Sequence, residues 1–199
     1  MYDEKSRKKL GQVLKNIIPS MVANTTPVAM KAKMATFAAE ILPAVDVRSW
    51  SRLFVDNAEM MLDLADQYNG YSDIAKSLYR FVAEAIEFLS TKELKLRLLR
   101  RILEKETIDE RFESHFNKLA ISARKGLSVR EFLPLNDLLI DFAKKARDCK
   151  SQQRYFIVMN LLLLVDKEHR KEVLSLLEDR SLYDAFMTDG YVAHAKDYP

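Results

Sequence analysis

The chain has 199 residues, 48% of them hydrophobic, with 32 Lys plus Arg against 29 Asp plus Glu for a formal charge of +3. That is the composition of a packed globular protein, so whole-chain disorder is excluded, and any attraction for a polyanion must come from where charges sit. Four glycines, one cysteine and three histidines exclude more chemistry than any other count.

A chain of this length averages roughly 14 glycines. Here Gly11, Gly70, Gly126 and Gly190 each stand alone, so no dinucleotide-binding turn, phosphate-cradling Walker loop or nucleophile elbow is present. Cys149 by itself gives no internal disulfide and no multi-cysteine metal site, and His115, His169 and His194 lie too far apart for the H-E-x-x-H zinc pattern. No cofactor and no metal are expected.

In chain order, the first predicted helix covers 4–18. Its basic start, Lys5-Ser-Arg-Lys-Lys9, is followed by neither an apolar leader core nor a small-residue cleavage site. A second helix over 27–42 carries Met30 and Met34, with Met21 and Val22 before it and Val28, Ala35, Phe37 and Ala38 along it. Core packing is the first reading of this methionine-rich pair and a groove for another protein's helix the second. Residues 1–43 therefore stand as an N-terminal helical subregion.

Over 46–68, Val47, Trp50, Phe54, Ala58, Met61, Leu62, Ala65 and Tyr68 recur every three or four residues and line one face of an amphipathic helix. Over 71–89, Ile74, Leu78, Phe81, Val82, Ala85, Phe88 and Leu89 repeat the pattern. Helices follow at 91–105, 108–124, 129–148, 151–165, 167–179 and 181–187, with a break at Pro134. Pro19, Pro27 and Pro43, like Pro134, are expected at helix ends or first turns. Ser90 with Glu93, Thr107 with Glu110 and Ser128 with Glu131 fit the capping box, and Ser181 with Asp184 is a weaker version.

The short connections predict antiparallel hairpins. The fold class is all-α, with eight to ten helices in a compact irregular bundle or a short HEAT-like array. Helix pairs starting near 46, 91, 129 and 167 recur at roughly the period of two-helix solenoids, without a shared residue signature. One domain over 1–189 and a C-terminal tail over 190–199 are expected. The longest apolar run, Phe156 to Val165, is broken by Asn160 and is about half the roughly 20 residues that span a bilayer, so a soluble cytoplasmic protein is expected.

Two charged stripes are the candidate binding surfaces. On the segment Lys92–Lys105, Arg97, Arg100 and Arg101 share the polar side, and Arg124, Lys125 and Arg130 follow around Gly126. Guanidinium groups on one stripe suit phosphates or carboxylates, but Glu93 before Arg97 and Glu104 after Arg100 favour a self-paired face. The helix over 47–68 is acidic at Asp56, Glu59, Asp63 and Asp66. Like charges at that spacing cost a few tenths of a kcal/mol per pair. A basic helix of the same fold is the first source of compensation, a basic partner second and a divalent cation last, because a row of carboxylates does not converge on a point.

No E-x-x-H pair marks a di-iron site. Asp166, three before His169, reads as a helix cap, Glu113 and His115 point apart, and Cys149 sits at a helix end, a poor setting for a reactive thiol. The expected function is a non-enzymatic protein–protein interaction module, an adaptor, scaffold or regulator using charged helix faces. A nucleic-acid-binding protein using the basic face is the alternative, and a helical enzyme a distant third. Another protein is the expected partner. Nucleic acid and a second copy of the chain, pairing basic to acidic stripe, are further candidates.

Overall fold

A computed structural model describes residues 3–177 apart from 69, 107, 109 and 150. The predicted helix over 181–187, its Ser181 cap, the tail over 190–199 and Thr107 lie outside the described residues. Among these residues the chain is helical throughout its regular structure, without a strand. The α-helices are α1 (Glu4–Val22), α2 (Val28–Ile41), α3 (Ser51–Gln67), α4 (Ser72–Glu87), α5 (Lys92–Leu103), α6 (Glu113–Arg124), α7 (Val129–Phe132), α8 (Asn136–Asp148), α9 (Gln152–Leu161) and α10 (Lys167–Leu177). Short 3-10 turns occupy Leu42–Ala44, Val47–Ser49, Glu110–Phe112, Leu133–Leu135 and Leu162–Leu164.

Local chemistry explains several boundaries. Asp3 caps α1 by accepting from the Ser6 amide at 2.7 Å. Ser128 and Glu131 form the full capping box at α7, each side chain taking the other's backbone N–H. Pro134 forces the 3-10 turn that separates α7 from α8. Two expectations need correction. Pro19 lies inside α1; burial of Ile18 before it and Met21 after it holds the chain helical, and the Pro19 carbonyl accepts from the Ala23 amide at 3.1 Å. At α5 the residue in front of the helix is Thr91, whose carbonyl takes the Lys95 amide, so Ser90 stands one position too early.

The described residues divide into two compact units, one drawn from 1–99 and 107–126, the other from 100–106 and 127 onward. In the first unit α4 packs against α2, α3 and α6, while α1 packs against α2 and α3. These are the neighbours of stacked helical hairpins, with α2, α4 and α6 side by side and α1 beside α3. Alanines at 35, 38 and 39 give α2 a flat buried face. Gly11 lets α1 run close to the 3-10 turn at 47–49, since a Cβ there would meet Ser49 at 3.3 Å.

Burial on α4 covers Ile74, Ala75, Leu78, Tyr79, Phe81, Val82, Ala83, Ala85 and Ile86. Its aromatic contacts radiate outward: Phe81 meets Phe54 edge-on at 5.7 Å, Phe54 meets Trp50 at 5.9 Å, and Tyr79 meets Phe116 at 4.8 Å and Phe112 at 5.9 Å. Such pairs add to the roughly 1.5–3 kcal/mol that burial of each large apolar side chain contributes. Gly126, at φ +76°, ends α6 in a left-handed turn that a side chain would strain.

In the second unit α8 packs against α9 and α10, around Phe132, Leu139, Phe142, Ile157, Val158, Leu161 and Val173. Buried Arg154 donates to the carbonyls of Lys105 and Glu106 and lies 4.9 Å from the Phe142 ring centroid. Tyr155 donates to the Leu177 carbonyl at 2.7 Å, tying α9 to the end of α10.

The packing predicts a sharp contrast between two phenylalanines. Phe81→Ala, at a fully buried site, costs about 3–5 kcal/mol, whereas Phe88→Ala, at a side chain 46% exposed, costs far less. Urea denaturation of the two variants checks this.

Candidate functional site

Burial of α4 on three sides leaves a single polar stripe. Apart from Ser72, whose side chain is not described, the residues of α4 that are not buried are Asp73, Lys76, Ser77, Arg80, Glu84 and Glu87. Steps of three and four place all six along one line of the helix. The C-terminal half of the stripe is occupied by ion pairs: Glu84 takes both the Nε of Arg80 and the Nζ of Lys118 at 2.9 Å, and Glu87 takes the Nζ of Lys125. Burial pushes the Glu84 carboxyl up, but Arg80 and Lys118 together hold it below its ordinary value.

The N-terminal half opens into a depression of about 330 Å³, lined by Thr36 of α2, Asp73, Lys76, Ser77 and Arg80 of α4, and His115 of α6. Hydroxyls bridge its floor: Thr36 donates to Ser77 at 3.1 Å, and Ser77 donates to the Asp73 carbonyl at 2.7 Å. Burial holds the His115 imidazole below 6.5, and the ammonium groups of Lys76 and Lys118 lower it further. The Glu113 side chain is not described. This stripe was missed from the sequence, although the polar spacing 73, 76, 77, 80, 84, 87 is its signal.

The predicted basic residues fall into both units. In the first, Arg97 pairs with Glu59 of α3 at 3.1 Å and not with Glu93, because a neighbouring helix offers a carboxylate closer to its Nε. Lys125 pairs with Glu87 and also accepts, through its carbonyl, the buried Lys95 ammonium at 2.6 Å; burial and the Lys125 charge hold Lys95 below 10.5. Arg124 makes contacts of its own. In the second unit Arg100 faces Glu104 at 3.9 Å, Arg101 is engaged, and Arg130 is exposed on α7.

The acidic stripe of α3 is likewise drawn into its own fold. Glu59 holds Arg97, Asp66 accepts the hydroxyl of Tyr79, and Asp63 is engaged, while Asp56 is exposed. Asp166 caps α10 by accepting from the amides of Glu168 and His169, and its second oxygen lies 2.6 Å from His169 Nδ1. Cys149 is exposed at the end of α8. Among the described residues no three of His, Cys, Asp and Glu are grouped to hold a metal ion, and no helix is long and apolar enough to cross a membrane.

The methionines of the N-terminal pair separate. Met21 is fully buried, Met34 is half-buried, and Met30 and Phe37 are 47% and 42% exposed. Met30, Met34 and Phe37 stand at i, i+4 and i+7, an apolar ridge beside the alanine face that α2 buries. On α1, exposed Lys5, Lys8 and Lys9 line a shallow depression with Glu4 and Gln12; the lysine run is plain in the sequence, but its clustering with Glu4 and Gln12 needs the helix. No family model, curated protein or solved structure matches this chain.

A depressed His115 makes stability depend on pH with a definite sign. The unfolded chain binds a proton near 6.5 that the folded protein binds only at lower pH, so this contribution is present above 6.5 and is lost as pH falls through the folded value. His115→Gln is expected to shrink the difference in urea stability between pH values above and below 6.5; an unchanged difference would contradict the burial described.

Proposed function

We propose that the chain is a non-enzymatic helical interaction module that receives an amphipathic helix of another protein on the outer face of α2. The observation that carries this reading is the ridge of Met30, Met34 and Phe37. Exposed apolar side chains are ordinary when scattered, but three at helical spacing offer a row into which a partner's own i, i+3, i+4 anchors fit. Methionine adapts to such partners at low cost in strain. Lys33 and Glu40, both exposed, flank the ridge seven residues apart, so a partner helix with an acid opposite Lys33 and a base opposite Glu40 is favoured in one direction.

The internal pairing of Arg97, Arg100 and Lys125 with carboxylates supports this choice over a basic groove built from those residues. A second reading, polyanion binding, is favoured by a different surface, the exposed Lys5 and Lys9 of α1 beside Lys8, which pairs with Glu4 at 2.9 Å.

A photo-crosslinking amino acid at position 37 in cells separates the two. The expected result is crosslinking to a protein through a helical segment, abolished by Met30→Glu in a variant that keeps its helical circular dichroism. Crosslinking that survives Met30→Glu, or salt-sensitive nucleic-acid binding by the full chain as its main association, would displace the α2 reading.

A further inference from the structure

The depression over the N-terminal half of α4 carries a separate inference, since Thr36 stands on the opposite side of α2 from Met34, with Glu40, which flanks the ridge, also acting on Arg80. We propose that this depression binds a phosphate group, held by Lys76 and Arg80 above a floor where the Thr36 and Ser77 hydroxyls are bonded to each other and to the Asp73 carbonyl. The lining joins two cations, two hydroxyls and an imidazole in about 330 Å³, the small end of the size range of ligand sites.

Three features point to an anion. Lys76 is half-buried, and no carboxylate of the described residues lies within 4 Å of its ammonium; its charge acts instead on His115. A part-desolvated cation without a close counter-ion gains most from an incoming anion. Glu84 takes the Nε of Arg80 and the Glu40 charge also acts on it, so an incoming anion would meet Arg80 through its terminal nitrogens. His115 meets the ligand as a neutral ring that becomes a second N–H donor once a nearby anion favours its protonated form.

Asp73 is the acid among the lining residues. Its carboxylate repels a bare phosphate and accepts a hydroxyl, which favours a phosphate monoester carrying a neighbouring hydroxyl. Free phosphate and such an ester share the recognition chemistry of Lys76 and Arg80.

The test follows the His115 ring proton of the full chain by NMR near pH 6.5, identified by its loss in His115→Gln, while inorganic phosphate or glycerol phosphate is added at constant ionic strength. The expected result is a saturable shift toward the imidazolium position. Affinity should weaken about tenfold or more in Lys76→Gln and in Arg80→Gln, the loss of one charge-assisted contact, and stay unchanged in Lys8→Gln on α1. The probe that saturates at the lower concentration tells whether the group is met free or as an ester. No saturation by either probe through about 20 mM, well beyond a dissociation constant of about 1 mM, or affinity undiminished from the unsubstituted chain in Lys76→Gln and Arg80→Gln that fold normally, would overturn the proposal.

Discussion

The burial of α4 on three sides is the constraint from which the rest of the first unit follows. A helix packed against α2, α3 and α6 has room for one polar line, and every polar residue placed on that line must either face water or find a partner on a flanking helix. Glu84 finds Lys118 of α6 and Glu87 finds Lys125, the residue just after that helix. Tyr79 lies off the line and is buried, and its hydroxyl is satisfied by Asp66 of α3. What remains of the line, Asp73 to Arg80, is the part that opens into a depression.

The same constraint accounts for the charged surface. Exposed pairs such as Arg97 with Glu59 contribute little to stability, roughly 0.2–1 kcal/mol each, yet they neutralise stripes that would otherwise offer strong fields to a partner. With Arg97, Arg100 and Lys125 paired, the apolar ridge of α2 and the half-buried Lys76 are surfaces of the first unit left to meet something else. The helix proposed for the first and the phosphate proposed for the second would meet different residues of α2, Met34 and Thr36, with Glu40 close enough to Arg80 for the two to influence each other.

Much of the fold was legible in the sequence because helical periodicity and capping chemistry are local. Ser128 with Glu131 and the break at Pro134 are set by residues a few positions apart, and the apolar face containing Ile74, Leu78, Phe81 and Val82 is buried as its spacing implies. The partners of charged residues were less legible. Arg97 had Glu93 within reach along its own helix, but the pairing with Glu59 depends on how α3 lies beside α5, which no local spacing encodes. The depression was hidden for the same reason: Thr36 and His115 are 79 positions apart in the sequence, and only the packing of α2 and α6 on α4 brings them to one place. Pro19 shows the converse, a local rule overridden when burial of Met21 holds the helix past it.

Native-state hydrogen exchange of the full chain tests the central position of α4 most directly. Amides that open only with global unfolding exchange slowest. The account predicts that α4 from Leu78 to Ile86 holds the slowest-exchanging amides of the first unit, slower than those of α1, and that Phe81→Ala accelerates α4 together with its neighbours α2, α3 and α6. Exchange from α4 as fast as from α1, or acceleration confined to α4 alone, would contradict it.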